Sequence, residues 1–130
     1  MEEKPERSGQ KGKLYKSFGY AFRGIGRTIR HERNMQIHCC AAALVVIFGL
    51  ALGISREEWF TCLILFALVM SLECVNTAVE AVVDLASPER HSLAEKAKDA
   101  AAGAVLIAAI FAAIIGLWIF VPKLLALLPA

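Results

Sequence analysis

Three stretches of this chain are apolar for long enough to cross a bilayer, and the middle one carries three carboxyl groups and an amide. The runs are Met35 to Ile54, Trp59 to Ala86 and Ala100 to Pro122. About 20 apolar residues are needed for one helical crossing. Only helices and closed barrels satisfy their backbone hydrogen bonds in lipid, so the runs predict transmembrane helices. Glu73, Asn76, Glu80 and Asp84 interrupt the second run. A charged group at the bilayer centre costs about 2.5–3.5 kcal/mol on insertion scales and persists mainly where it lines a polar cavity, pairs or reacts. The four residues follow a helical repeat and fall on one stripe that starts at membrane depth and ends near a surface.

Composition agrees. The chain is 58% hydrophobic, above the roughly 45–50% of ordinary soluble domains. At 130 residues, one membrane unit over 1–130 is expected. The net charge is only +2, yet nine of the fourteen Lys and Arg lie in residues 1–33. With so apolar a remainder, this bias favours an anionic membrane surface over nucleic acid. The long polar start does not resemble a cleavable signal peptide. Cys39, Cys40, Cys62 and Cys74 form no metal-binding spacing and read as small buried apolar residues.

Residues 1–12 are expected to be disordered, and residues 13–33 to form an amphipathic surface helix. Leu14, Phe18, Ala21, Phe22, Ile25 and Ile29 share one face of it, while Lys13, Lys16, Arg23, Arg27 and Arg30 take the other. Spans are placed at 35–54, 59–86 and 99–122. Ser55 followed three residues later by Glu58 is a capping-box pattern. Trp59, Phe60, Trp118 and Phe120 lie at the span ends, where interfacial aromatics belong. Ser87-Pro88 breaks the second span, and Glu89 to Lys98 is expected to be a polar connector with a short helical piece. Small residues along the third span suit close helix contact. Basic residues concentrate in the N-terminal region and the second connector, so the positive-inside rule puts both in the cytoplasm.

The residues leave several roles open. Glu73 reads either as a protonated carboxyl bonded across helices or as a general base tuned by partial burial. Glu80 and Asp84, with Asn76, are hard oxygen donors suited to Mg²⁺, or partners for Lys96 and Lys98. Glu32 alone reads as a solvated charge. Lys98 is a phosphate contact or a snorkelling interfacial anchor, and Asp99 suits a helix start. His91 is a phosphate contact or a solvated histidine, and His38 is the only titratable group of note in the first span. No P-loop, protein-kinase glycine loop or Ser/His/Asp arrangement occurs.

The string from Glu73 to Asp84, ECVNTAVEAVVD, resembles the signature E-x-x-N-[ST]-A-[IV]-E-x-x-[VI]-D of the prokaryotic diacylglycerol kinase/undecaprenol kinase family. Ala97 to Ile107 is similar to that family's second motif, and Gly19-Tyr20 and Glu32 match on the N-terminal side. The resemblance covers about residues 13–120. It implies an all-α membrane protein, a homotrimer of three-span subunits with an N-terminal surface helix, transferring the γ-phosphate of MgATP to a lipid hydroxyl. By matching positions it makes Glu73 the general base and Glu32 and Glu80 the metal ligands. Asn76, Asp84, Lys98 and Asp99 fall in the nucleotide site, with Tyr20, Glu89, Arg90 and His91 near ATP. It sets the N-terminal basic contact at Lys13, with Arg23 as a further phosphate contact. The segment His31 to His38 resembles the branch associated with undecaprenol, which is favoured over diacylglycerol. The rival readings are a small ion- or proton-coupled transporter using the intramembrane acids and a membrane scaffold without enzymatic activity.

Overall fold

The computed structural model describes the backbone of residues 8–127 and the side chains of residues 13–127. The chain folds into four helices, α1 (Ser8–His31), α2 (Arg33–Leu52), α3 (Arg56–Ala86) and α4 (Ser92–Leu125), with no strand among the described residues. Three of them, α2, α3 and α4, are long and apolar enough to cross a membrane. The architecture is therefore that of an all-α membrane protein with an amphipathic helix before three spans. Most of the segment expected to be disordered lies outside the described residues, and α1 begins five residues ahead of Lys13.

Sequence chemistry explains most boundaries. α1 and α2 are separated by Glu32 alone, in extended conformation at φ −94° and ψ 117°. Arg30 and His31 end α1, where positive charge meets the carbonyl end of the helix dipole. α2 stops at Gly53, whose φ of 62° and ψ of 50° are left-handed, a conformation that glycine adopts without Cβ strain. The Ser55–Glu58 capping box is fully formed: the Ser55 hydroxyl accepts from the Glu58 amide at 3.2 Å, and the Glu58 carboxylate accepts from the Ser55 amide at 2.6 Å. Ser87 caps the end of α3, just before Pro88. The expected connector is shorter than the sequence indicated. α4 starts at Ser92, with His91 as its N-cap and the His91 Nδ1 accepting from the Leu93 amide at 3.2 Å. From Ser92 onward no glycine-proline break interrupts an alanine-rich stretch, so the helix runs on as one piece. Pro122 sits in its last turn, and the helix ends three residues later.

α3 packs chiefly along α4, α2 lies against both, and α1 rests on α2 and α3. The buried core is thin: Met35, Ile54, Cys62, Val69, Val105 and Ala108 are its apolar members. Near the α2–α3 turn the indole of Trp59 lies directly on Gly49, where a Cβ would come within 2.8 Å of two ring carbons. Beside this contact Lys123 of α4 pairs with Glu58 of α3 at 3.1 Å. Large apolar side chains such as Leu44, Ile47, Leu63, Ile64, Phe111 and Trp118 face outward. In water such a surface would aggregate; in hydrocarbon it is the expected exterior.

Helix length fixes the depth of the polar residues. At about 1.5 Å per residue, the 20 residues of α2 match the roughly 30 Å hydrocarbon core. α3 has 31 residues and α4 has 34, so both overrun the core. With the α2–α3 turn at one face, the surplus projects at the other face. That surplus holds Asn76, Glu80 and Asp84 of α3, and Lys98 and Asp99 of α4. Glu73 lies about one turn below them, inside the apolar layer.

Candidate active site

α2, α3 and α4 enclose a polar pocket of about 250 Å³ lined by Asn34, His38, Glu73, Asn76 and Glu80, with Val105 among its apolar walls. The helical stripe of α3 supplies its acids, because Glu73, Asn76 and Glu80 recur at near-whole turns and α4 packs against that same side. Glu73 is 1% exposed. Its Oε2 and the Oδ1 of Asn76 are buried without a hydrogen-bond partner. Leaving a buried polar atom unpaired costs about 1–3 kcal/mol, and an atom so placed is explained when a bound molecule completes it. The Asn76 amide donates to Glu80 Oε1 at 3.1 Å, which holds both side chains. The Thr77 hydroxyl donates to the Glu73 carbonyl at 3.0 Å. Asn34 and His38 of α2 line the same pocket, and Glu32 precedes them at the α1–α2 junction.

A second cleft opens where α3 ends and α4 begins. Asp84, Glu89, Arg90, His91 and Lys98 line it, with Ser87 and Glu95. Lys98 Nζ donates to Asp84 Oδ1 at 2.5 Å and ties the two helix ends together. This pairing is one of the roles open for both residues from sequence. It leaves two further ammonium protons on Lys98 for another anion.

The structure thus gathers the sequence candidates into two neighbouring sites, with Glu73, Asn76 and Glu80 in one and Asp84, Glu89, Arg90, His91 and Lys98 in the other; Glu32, at the α1–α2 junction, lines neither. Asp99 is exposed on α4 and lines neither. Lys13, Tyr20 and Arg23 are exposed on α1 and line neither in a single chain. Arg23 instead stacks over the Tyr20 ring at 4.8 Å, with its Nε donating to the Gly19 carbonyl at 3.3 Å. Sequence reasoning passed over Asn34 as a pocket residue and gave His38 no role there. Their i, i+4 spacing on α2 was the available signal.

As a donor set for a hard cation, the pocket offers Glu80 and the unpaired Asn76 oxygen. Among the described residues no group of three or more His, Cys, Asp or Glu is placed to hold a metal ion. Mg²⁺ bound with a nucleotide typically uses one or two carboxylates and takes its remaining ligands from phosphate and water. The residues present fit that manner of binding.

Comparison with known proteins agrees with this architecture. The model of the prokaryotic diacylglycerol kinase family matches residues 19–120. The chain is 47% identical over 124 residues to the undecaprenol kinase of Bacillus subtilis, an alignment covering 95% of this chain and 100% of that protein. It is 40% identical over 116 residues to a diacylglycerol kinase of Synechocystis, covering 88% of this chain and 66% of the relative. To the diacylglycerol kinase of Escherichia coli K12 it is 34% identical over 102 residues, covering 78% and 84%. A membrane-embedded acidic pocket on a three-span bundle is the class that the fold defines. The chain belongs to the prokaryotic diacylglycerol kinase family.

Proposed function

We propose that this protein transfers the γ-phosphate of ATP to the hydroxyl of undecaprenol in the cytoplasmic membrane. The observation that carries the reading is Glu73: a carboxyl 1% exposed, one oxygen unpaired, at the boundary between the apolar layer and the projecting polar ends of α3 and α4. A long-chain alcohol holds its hydroxyl at that depth. The sequence relation to an undecaprenol kinase over nearly the whole chain supports this acceptor over diacylglycerol.

The chemistry follows from the groups present. Glu73 accepts the proton of the lipid hydroxyl as that oxygen attacks the γ-phosphorus. The new lipid O–P bond forms while the bond between the γ-phosphorus and the β–γ bridging oxygen breaks, and ADP leaves with that oxygen. Phosphoryl transfer needs positioning and charge neutralisation above all. Lys98, held by Asp84, contributes positive charge at the aqueous edge, with Arg90 and His91 across the same cleft. Asn76 fixes Glu80 by its amide hydrogen bond. Glu80 and Glu32 would hold Mg²⁺, which when bound neutralises phosphate charge. Asp99, Tyr20, Arg23 and Lys13 belong to the nucleotide side of this reading; the α1 residues reach it across a subunit boundary.

That boundary is part of the proposal. Within one chain only 11%, 22% and 17% of the most apolar windows of α2, α3 and α4 are buried, which leaves room for further copies around the bundle, and the family resemblance gives their number as a homotrimer. The basic α1 and the connector carrying Arg90, Lys96 and Lys98 put the site on the cytoplasmic side, where ATP is available. The test is incubation of the detergent-solubilised protein with MgATP and undecaprenol or diacylglycerol. Undecaprenyl phosphate is the expected principal product, and formation of neither lipid phosphate contradicts the reading.

A further inference from the structure

His38 stands where two cavities meet. It lines the polar pocket of Glu73, Asn76 and Glu80. It also lines an apolar cleft of about 190 Å³ bounded by Ala42, Val45, Phe66, Val69 and Ala112. Ala109 of α4 is the other residue common to both. The cleft and the pocket therefore adjoin at the imidazole and a methyl group. Its wall is built mostly of small side chains, which leaves an apolar slot between α2, α3 and α4. The His38 ring is half-buried and makes no hydrogen bond among the described residues. Glu73 on the facing helix has an unpaired oxygen. A partly exposed imidazole and a buried carboxyl with one unpaired oxygen thus border one end of an apolar slot.

A primary alcohol on a single long chain fits that geometry at both ends. Its hydroxyl is donor and acceptor at once. It gives its hydrogen to Glu73 and takes one from a ring nitrogen of His38, while the chain next to the hydroxyl lies in the slot. From this juxtaposition we propose that His38 is a positioning residue for the acceptor lipid, holding the hydroxyl against Glu73 with the adjoining chain in the cleft between α2, α3 and α4. The inference rests on the lipid kinase reading and adds to it a residue and a chain site.

Initial rates on undecaprenol and on ATP, measured separately for wild type, His38→Ala, His38→Gln and Ala112→Phe in detergent, test this. Loss of one positioning hydrogen bond should lower kcat/KM for undecaprenol by about tenfold in His38→Ala. The KM for ATP should stay at the wild-type value. His38→Gln, which keeps a donor, should recover most of the loss. Ala112→Phe lines the slot but not the polar pocket; it should raise the KM for undecaprenol while leaving a short-chain prenyl alcohol unaffected. Equal losses toward ATP and lipid, or Gln no better than Ala, would mean that His38 only supports the fold and would overturn the proposal. Undecaprenol kinetics unchanged by Ala112→Phe would remove the slot. If wild type itself phosphorylates no lipid, the kinase reading fails first, and that outcome is distinct from the others. Should His38→Ala not fold, judged by its thermal transition in detergent, His38→Gln and Ala112→Phe decide.

Discussion

Glu73 is tolerated in the apolar layer because α4 covers it and because the pocket beside it is polar. Its replacement by Gln keeps size and hydrogen-bonding capacity and removes the proton acceptor. Glu73→Gln should cut turnover by about 10²–10⁴-fold, the usual contribution of a general base, while ATP affinity measured by calorimetry stays within about twofold. Glu80 makes a different prediction. It holds Asn76 and stands on the side of the pocket nearer water, so Glu80→Ala should weaken Mg²⁺-dependent ATP binding more than lipid binding. Equal ATP affinities for wild type and mutant would take Glu80 out of the metal role. The stripe of Glu73, Asn76, Glu80 and Asp84 was legible in the sequence because one helical period generates it. Asn34 and His38 were not legible as its neighbours. Their i, i+4 spacing puts them on one face of α2, but nothing in the sequence says that this face meets the acids of α3.

The helices carry their own stop signals, and these set the register of the bundle. Gly49 is the one tightly packed glycine among the described residues, with the Trp59 ring against its backbone. Gly49→Ala should lower stability by about 1–3 kcal/mol, the usual cost of overpacking, seen as an earlier thermal or denaturant transition in detergent. A transition unchanged from wild type would show that the Trp59 ring moves aside freely. Ser55→Ala removes one half of the capping box and should cost about 1 kcal/mol. The cap at Ser55 and the break at Pro88 follow from local chemistry, so the sequence located those ends closely; the first span was read on to Ile54, past the left-handed Gly53 that ends α2. The start of α4 did not follow. Charged residues between Glu89 and Lys98 read as a connector, yet helix propensity among Ala, Glu and Lys is high. His91 supplies a cap that the usual Ser, Thr, Asp and Asn preferences do not advertise.

At the scale of the molecule, one chain leaves most of its apolar windows uncovered and leaves Lys13, Tyr20 and Arg23 away from both clefts. On the proposed reading, a complete site in the assembled protein draws α1 from a neighbour. Mixing subunits that carry Glu73→Gln with subunits that carry Arg23→Ala should restore activity in part, because some sites in the mixture escape both changes. Additive loss without recovery would place each site within one chain. The fold class and the number of spans were readable in the sequence, since lipid imposes helices of fixed minimum length. Assembly was not, because an apolar face turned to lipid and one turned to another copy have the same composition.

The most direct test follows the phosphorus. ATP labelled at the γ-position is incubated with purified protein, Mg²⁺ and undecaprenol, and the organic phase is counted. Label should move into a chloroform-soluble phosphate with wild type and stay in the aqueous phase with Glu73→Gln. Label that remains aqueous with wild type, for undecaprenol and diacylglycerol alike, would contradict the account.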